Sequence, residues 1–170
     1  MSKVGKELAK LAKQKGICQE WLGELRTAED KEKMLEMYVK GIDFCLSNDY
    51  PSNDYIRANF VGIMEKHGIH LDENLHLVND RKVIALGTCS GNIHVSGYNV
   101  SEIFLKHESE LALTADENSF VMVDMFDNTR LRVTASEEAK VCINHYGGEI
   151  VFEQHGNAVV KIIEKNKKTY

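Results

Sequence analysis

Proline is almost missing from this chain, with Pro51 the single one in 170 residues. A proline-rich linker is thereby excluded, and long uninterrupted hydrogen-bonded ladders are allowed. Cysteine is sparse and unpaired in pattern: Cys18, Cys45, Cys89 and Cys142 lie far apart with no CxxC. That spacing argues against a zinc knuckle or a disulfide framework and favours free thiols in a reducing compartment. No apolar run approaches the length of a membrane span, and the start "MSKVGKELAKLAKQKG" is charged throughout, unlike a signal peptide. A cytoplasmic protein is the expectation. Basic charge is not in excess either. The net charge is −5, and the one basic run is "KIIEKNKK" at Lys161–Lys168. A nucleic-acid partner would need a clustered basic face, so none is expected. The first two helical segments could imitate a helix-turn-helix, but residues 1–46 hold nine basic and eight acidic side chains. Aromatic residues make up 8%, which leaves little for a stacking platform.

What is present divides into two periods. Before about residue 70 the apolar spacing is helical. Leu8, Leu11 and Ala12 mark a first helix that Gly16 can close in the left-handed conformation, and Trp21, Leu22 and Leu25 mark a short second helix after it. Thr27, with Asp30 three residues on, looks like the N-cap of a helix carrying Met34, Leu35, Tyr38, Ile42 and Cys45. "SNDYPSNDY" stops it, and Ser52 or Asn53 can start another through Ile56, Phe60, Ile63 and Met64, ending at His67-Gly68. Residues 1–68 therefore read as a three-helix cap.

From Ile69 the pattern changes to short alternating strands. Ile103, Val123, Ile143 and Ile162 are separated by twenty, twenty and nineteen residues. Leu111, Leu131 and Ile150 form a second column, with Leu113, Val133 and Phe152 beside them; a looser copy runs through Ile84, Cys89, Ile93 and Val95. A meander does not need its strands and turns to match in length and phase two strands later. A coil stacked on its own copy does. Residues 69–170 are thus expected to form a β-solenoid of roughly twenty residues per coil, in an α+β chain. Glu110, Arg130 and Glu149 would then form an outward ladder of alternating sign, each pair worth ~0.2–1 kcal/mol. His145 and Gln154 break the pattern, standing at inward positions where earlier coils carry Met125 and Ala135. The last coil is therefore expected to be open or irregular.

The repeating "VxVxDxxxLxVxASxxAxV" texture of residues 100–163 resembles the stacked coils of GIN-type adhesin-head domains of bacteria. With "YVKGIDFCLSNDYPS" ahead of the coils, the arrangement also resembles small bacterial proteins of no assigned activity. What the resemblance implies is architecture. Adhesin heads are exported, and this sequence shows no export signal, so adhesion is not implied.

Candidate chemistry is thin. Cys142 and His145 are three apart, but strand alternation puts the thiol outward and the imidazole inward, so they cannot act as nucleophile and base. His67, His70 and His76, with Asp72 and Glu73, gather around a turn, yet no cysteine or HExxH spacing organises them as metal ligands. Tyr146–Glu149 ("YGGE") is too short for a phosphate loop and reads as a corner. Asp124, Asp127, Phe104 and Tyr146 are the exposed acids and aromatics from which a carbohydrate groove would have to be built. No catalytic, cofactor or metal residue is assigned. The expected role is a non-enzymatic structural or protein-interaction module, with a carbohydrate-binding or carbohydrate-acting β-helix as the alternative. Self-association is expected through the last strand, where Val160, Ile162 and Ile163 place apolar groups on both faces.

Overall fold

The computed structural model describes residues 2–170, in two compact units: the residues up to His67 together with Tyr170, and Gly68–Thr169. The first unit holds five α-helices, not three: α1 (Lys3–Gln14), α2 (Gln19–Thr27), α3 (Lys31–Lys40), α4 (Ile42–Asn48) and α5 (Asn53–Asn59), then a 3-10 turn at Glu65–His67. Ser2 caps α1, its Oγ accepting the Gly5 N–H at 3.0 Å. Thr27 is the last residue of α2 and not the cap of α3; Asp30 takes that role, accepting the Lys33 N–H at 2.7 Å. The long helix expected from Thr27 through Cys45 is divided at Gly41, which closes α3 and opens α4. Ser52 caps α5 as expected, through the Tyr55 N–H. Leu8 and Ala12 of α1, Leu22 and Leu25 of α2, Leu35 of α3, Leu46 of α4 and Ile56 of α5 are all buried, and the Tyr50 hydroxyl donates to the Leu8 carbonyl.

The second unit is a parallel β-solenoid of about five turns. Its strands are β1 (Ile69–Leu71), β2 (Asn74–Val78), β3 (Lys82–Leu86), β4 (Ser90–Val95), β5 (Val100–Leu105), β6 (Glu110–Ala115), β7 (Phe120–Met125), β8 (Arg130–Ala135), β9 (Lys140–His145), β10 (Glu149–Gln154) and β11 (Val159–Glu164). Odd-numbered strands form one six-stranded sheet and even-numbered strands a five-stranded one, each strand pairing in parallel with the strand two along. The register reproduces the repeat in the sequence. Ile103, Val123, Ile143 and Ile162 are successive partners, as are Leu113, Val133 and Phe152. The interior is a continuous stripe of these columns, with Val123, Ile143 and Val133 fully buried.

The corners explain the equal lengths. From Ser96 to Ala139, six-residue strands alternate with four-residue corners, and the second corner residue is left-handed each time: Gly97, His107, Glu117, Asp127 and Glu137. The next residue donates its N–H one coil back, as Asn118 does to the Gly97 carbonyl (3.0 Å) and Glu138 to Glu117 (2.9 Å). A corner of different length would break that ladder. Glutamate is a poor left-handed residue, so stacking here overrides a local cost of about 1–2 kcal/mol. The Tyr146–Gly148 corner is one residue shorter, which produces the nineteen-residue step. There Gly148 has φ +95°, and a Cβ would lie 2.5 Å from the Thr129 carbonyl oxygen. In the early coil the interior residues are Val83 and Ala85; Ile84, aligned with Phe104, points outward, yet both are buried.

Candidate functional site: the last coil

Burial along the inward columns changes abruptly at the end. Val133 is 0% exposed, whereas Phe152, its partner one coil on, is 42% exposed. Ile150, Val160 and Ile162 are only partly buried against the core. The residues after Glu164 form no further strand. An apolar cross-section of the solenoid is therefore open to solvent at β10 and β11.

Polar residues close part of it. His145 occupies the inward column between Met125 and Glu164. Its Nδ1 lies 2.8 Å from the Glu164 carboxylate and its Nε2 2.9 Å from the Gly148 carbonyl oxygen. An imidazole with an acceptor at each nitrogen is best satisfied when it carries both protons. Partial burial works against the charge, but the Gly148 carbonyl and the Glu164 carboxylate outweigh it, and the pKa is raised above its ordinary value of 6.5. Gln154, also inward, turns its Oε1 to accept the Val160 N–H at 3.1 Å.

A pH dependence follows from that pair. Because the folded pKa is raised, the contribution of His145 to stability is complete below the unfolded value. It is lost as pH rises through the folded value. Amide exchange in β9–β11 is expected to be slower at pH 6 than at pH 8 after correction for intrinsic rates, with His145→Gln removing the difference. Equal protection at both pH values in the parent protein would contradict this role.

The other candidates are not brought into an open groove. Cys142 faces outward between Met122 and Lys161 in register, and His145 faces inward, so the two remain apart. Burial raises the thiol pKa of Cys45 and Cys89, which makes neither a nucleophile. His67 pairs with Glu32, and His70 with Glu73 at 2.9 Å. His76 lies on β2, and Asp72 accepts the Thr88 N–H. Among the described residues no group of three or more His, Cys, Asp or Glu is placed to hold a metal ion, and no helix is long and apolar enough to cross a membrane.

Phe104, Asp124, Asp127 and Tyr146 do lie along one edge of the odd-numbered sheet and its corner, but they are engaged with one another's coils. Phe104 is buried. Asp124 accepts from Asn144 at 2.7 Å; Asp127 accepts from Lys106 Nζ and from the His107 N–H, both at 3.0 Å. Tyr146 stacks on buried Phe126 with centroids 4.7 Å apart, and Lys106 and Lys165 lie over the outer faces of that pair. These four side chains belong to a ladder holding coil to coil.

Two further surfaces lie on the outer faces of the sheets. The outer face of the even-numbered sheet has an open hollow of about 480 Å³ between Ser90, Asn92, Glu110, Arg130, Arg132 and Glu149. No aromatic side chain lines it. Arg130 lies 3.6 Å from Glu149 there, an exposed pair of the expected charge ladder, which contributes little. On the odd-numbered sheet Val100, Phe120 and Met122 are exposed at outward positions, beside Tyr98 at the corner. Their signal was present as apolar residues at alternate, outward positions.

No family model matches the chain, and no match is found among the curated proteins or the solved structures.

Proposed function

We propose that this protein is a non-enzymatic interaction module that associates with a second copy of itself through the open end of its solenoid, at β10 and β11. The observation that supports this reading is the exposure of Phe152 at the top of a column whose earlier members are sealed. A solenoid coil is stabilised by the coils above and below it, so the last one gains most from a neighbour. Such an edge also offers unpaired strand backbone, which natural proteins cover or pair. Val160, Ile162 and Ile163 belong to that edge strand, the first two turned to the core and the third to the outer face. A carbohydrate ligand is less well supported, since the hollow on the even-numbered sheet lacks an aromatic platform.

Light scattering over a dilution series tests the reading. The mass is expected to rise from the 19.3 kDa of one chain toward twice that value with concentration. Phe152→Lys should hold the protein at the lower mass without unfolding it, since the side chain is already half exposed. A parent protein that stays at 19.3 kDa at every concentration would refute self-association.

A further inference from the structure

The two strands that end the solenoid also carry a pattern of charge and hydrogen bonding that specifies how a second copy would meet them. The inference rests on the association proposed above and adds its geometry. We propose a closed twofold dimer in which β11 of each copy pairs antiparallel with β10 of the other, placing Lys161 beside Glu153 of the partner subunit and Lys165 beside Glu149 of the partner subunit.

The backbone sets which residues can pair. Val159 N–H donates to the Ala139 carbonyl and Lys165 N–H to that of His145, while Glu149 donates to Thr129 and His155 to Ala135. Odd-numbered residues of both end strands thus bond back into the solenoid. Alternation turns the N–H and C=O groups of Val160, Ile162 and Glu164, and of Ile150, Phe152 and Gln154, toward the open end. These are also the inward-facing residues. Antiparallel pairing that exchanges bonds between them keeps the two cores continuous and the outward residues outward.

Two twofold arrangements satisfy that condition, and charge separates them. An axis crossing the strands pairs β11 with β11 and β10 with β10. Centred on Lys161 it opposes two lysines; centred on Ile162, level with Phe152, it leaves Lys161 beside an isoleucine and Glu153 beside a valine, so neither charge finds an opposite one. An axis along the strands pairs β11 with β10. Setting Ile162 opposite Phe152 of the partner subunit then brings Ile163 to Val151, Lys161 to Glu153 and Lys165 to Glu149, each of the partner subunit. Both outward lysines meet a glutamate, and Ile162 and Ile163 meet apolar residues, while Val160 faces Gln154 of the partner subunit and Glu164 faces Ile150 of the partner subunit. Symmetry doubles each contact. Val160, which borrows the Gln154 side chain in the single chain, would bond to the Gln154 backbone of the partner subunit. Glu164 keeps His145 as its partner. The interface closes on itself, so the product is a dimer and not a filament.

Charge exchange tests this arrangement, because Lys161 and Glu153 are exposed and outward. Lys161→Glu and Glu153→Lys, each alone, should raise the dimer dissociation constant roughly tenfold or more, since each places like charges in contact twice. The double variant Lys161→Glu/Glu153→Lys should return close to the parent value in sedimentation equilibrium. Raised salt should weaken the parent dimer and the double variant alike. If the parent dimerises but the double variant is no tighter than the singles, this pairing is wrong and end-on association survives. If the parent does not dimerise, the association itself is refuted.

Discussion

Val123→Asp is expected to abolish the cooperative fold of the solenoid's C-terminal half, whereas Arg132→Asp should leave it within about 0.5 kcal/mol of the parent. Val123 sits at 0% exposure between Ile103 and Ile143 in its column. An aspartate there loses the burial of a valine, about 1.5–3 kcal/mol. It must also hold a carboxyl group in an apolar stack with no donor in reach, a further several kcal/mol even if protonated. Together these costs approach the whole stability of an ordinary domain, roughly 5–15 kcal/mol. In a stacked coil the damage is not local, because each neighbour depends on the coil it covers. Val133→Asp, on the facing sheet and equally buried, should behave the same way. Arg132 lies between inward Leu131 and Val133 on β8 and points outward, exposed. Denaturant melts followed by circular dichroism would report the contrast, and equal losses at Val123 and Arg132 would overturn the strand phase.

Gly91→Ala is the second large effect expected, and it comes from backbone alone. Gly91 occupies an inward position of β4, in register between Leu75 and Leu111, at φ +115°. A Cβ built there falls 2.1 Å from the Leu75 carbonyl oxygen and 2.7 Å from the Leu75 nitrogen. Neither atom belongs to a flexible side chain, so β2 and β4 would have to separate. Left-handed strain of about 1–2 kcal/mol and overpacking of about 1–3 kcal/mol add to a loss of roughly 2–5 kcal/mol. By contrast Gly23→Ala, in α2 with open space around it, should stabilise by up to about 1 kcal/mol. Thermal unfolding of the two variants separates them. A Gly91→Ala protein as stable as the parent would contradict the close approach of the two strands.

Much of the solenoid was legible because stacking constrains sequence in one dimension. Ile103, Val123, Ile143 and Ile162 had to recur at one coil length, and the shorter corner at Tyr146–Gly148 recorded itself as a step of nineteen. The first coils were blurred, since the outward Ile84 and Phe104 are buried as well and mask the alternation. In the helical unit the division at Gly41 was hidden. A glycine costs a helix only about 1 kcal/mol, so periodic apolar residues on both sides read as one element. The irregular end was visible in His145 and Gln154 at inward positions. Their partners were not, because Glu164 lies nineteen residues from His145 and no local pattern links them. For the same reason Asp127 read only as an exposed acid, although Lys106 and the His107 N–H, about one coil earlier, hold it.

Hydrogen exchange resolved to single amides in β11, measured across protein concentration, bears most directly on end-on association. Lys161 and Ile163 belong to the set of residues that bond back to β9, while the N–H groups of Ile162 and Glu164 face the open end. At high dilution Lys161 and Ile163 should be protected, and Ile162 and Glu164 should exchange freely. At concentrations where the mass doubles, Ile162 and Glu164 should become as slow as their neighbours, because the partner's strand supplies their acceptors. If the mass doubles while those two amides continue to exchange freely, the copies meet on some other surface and the open end of the solenoid is not the interface.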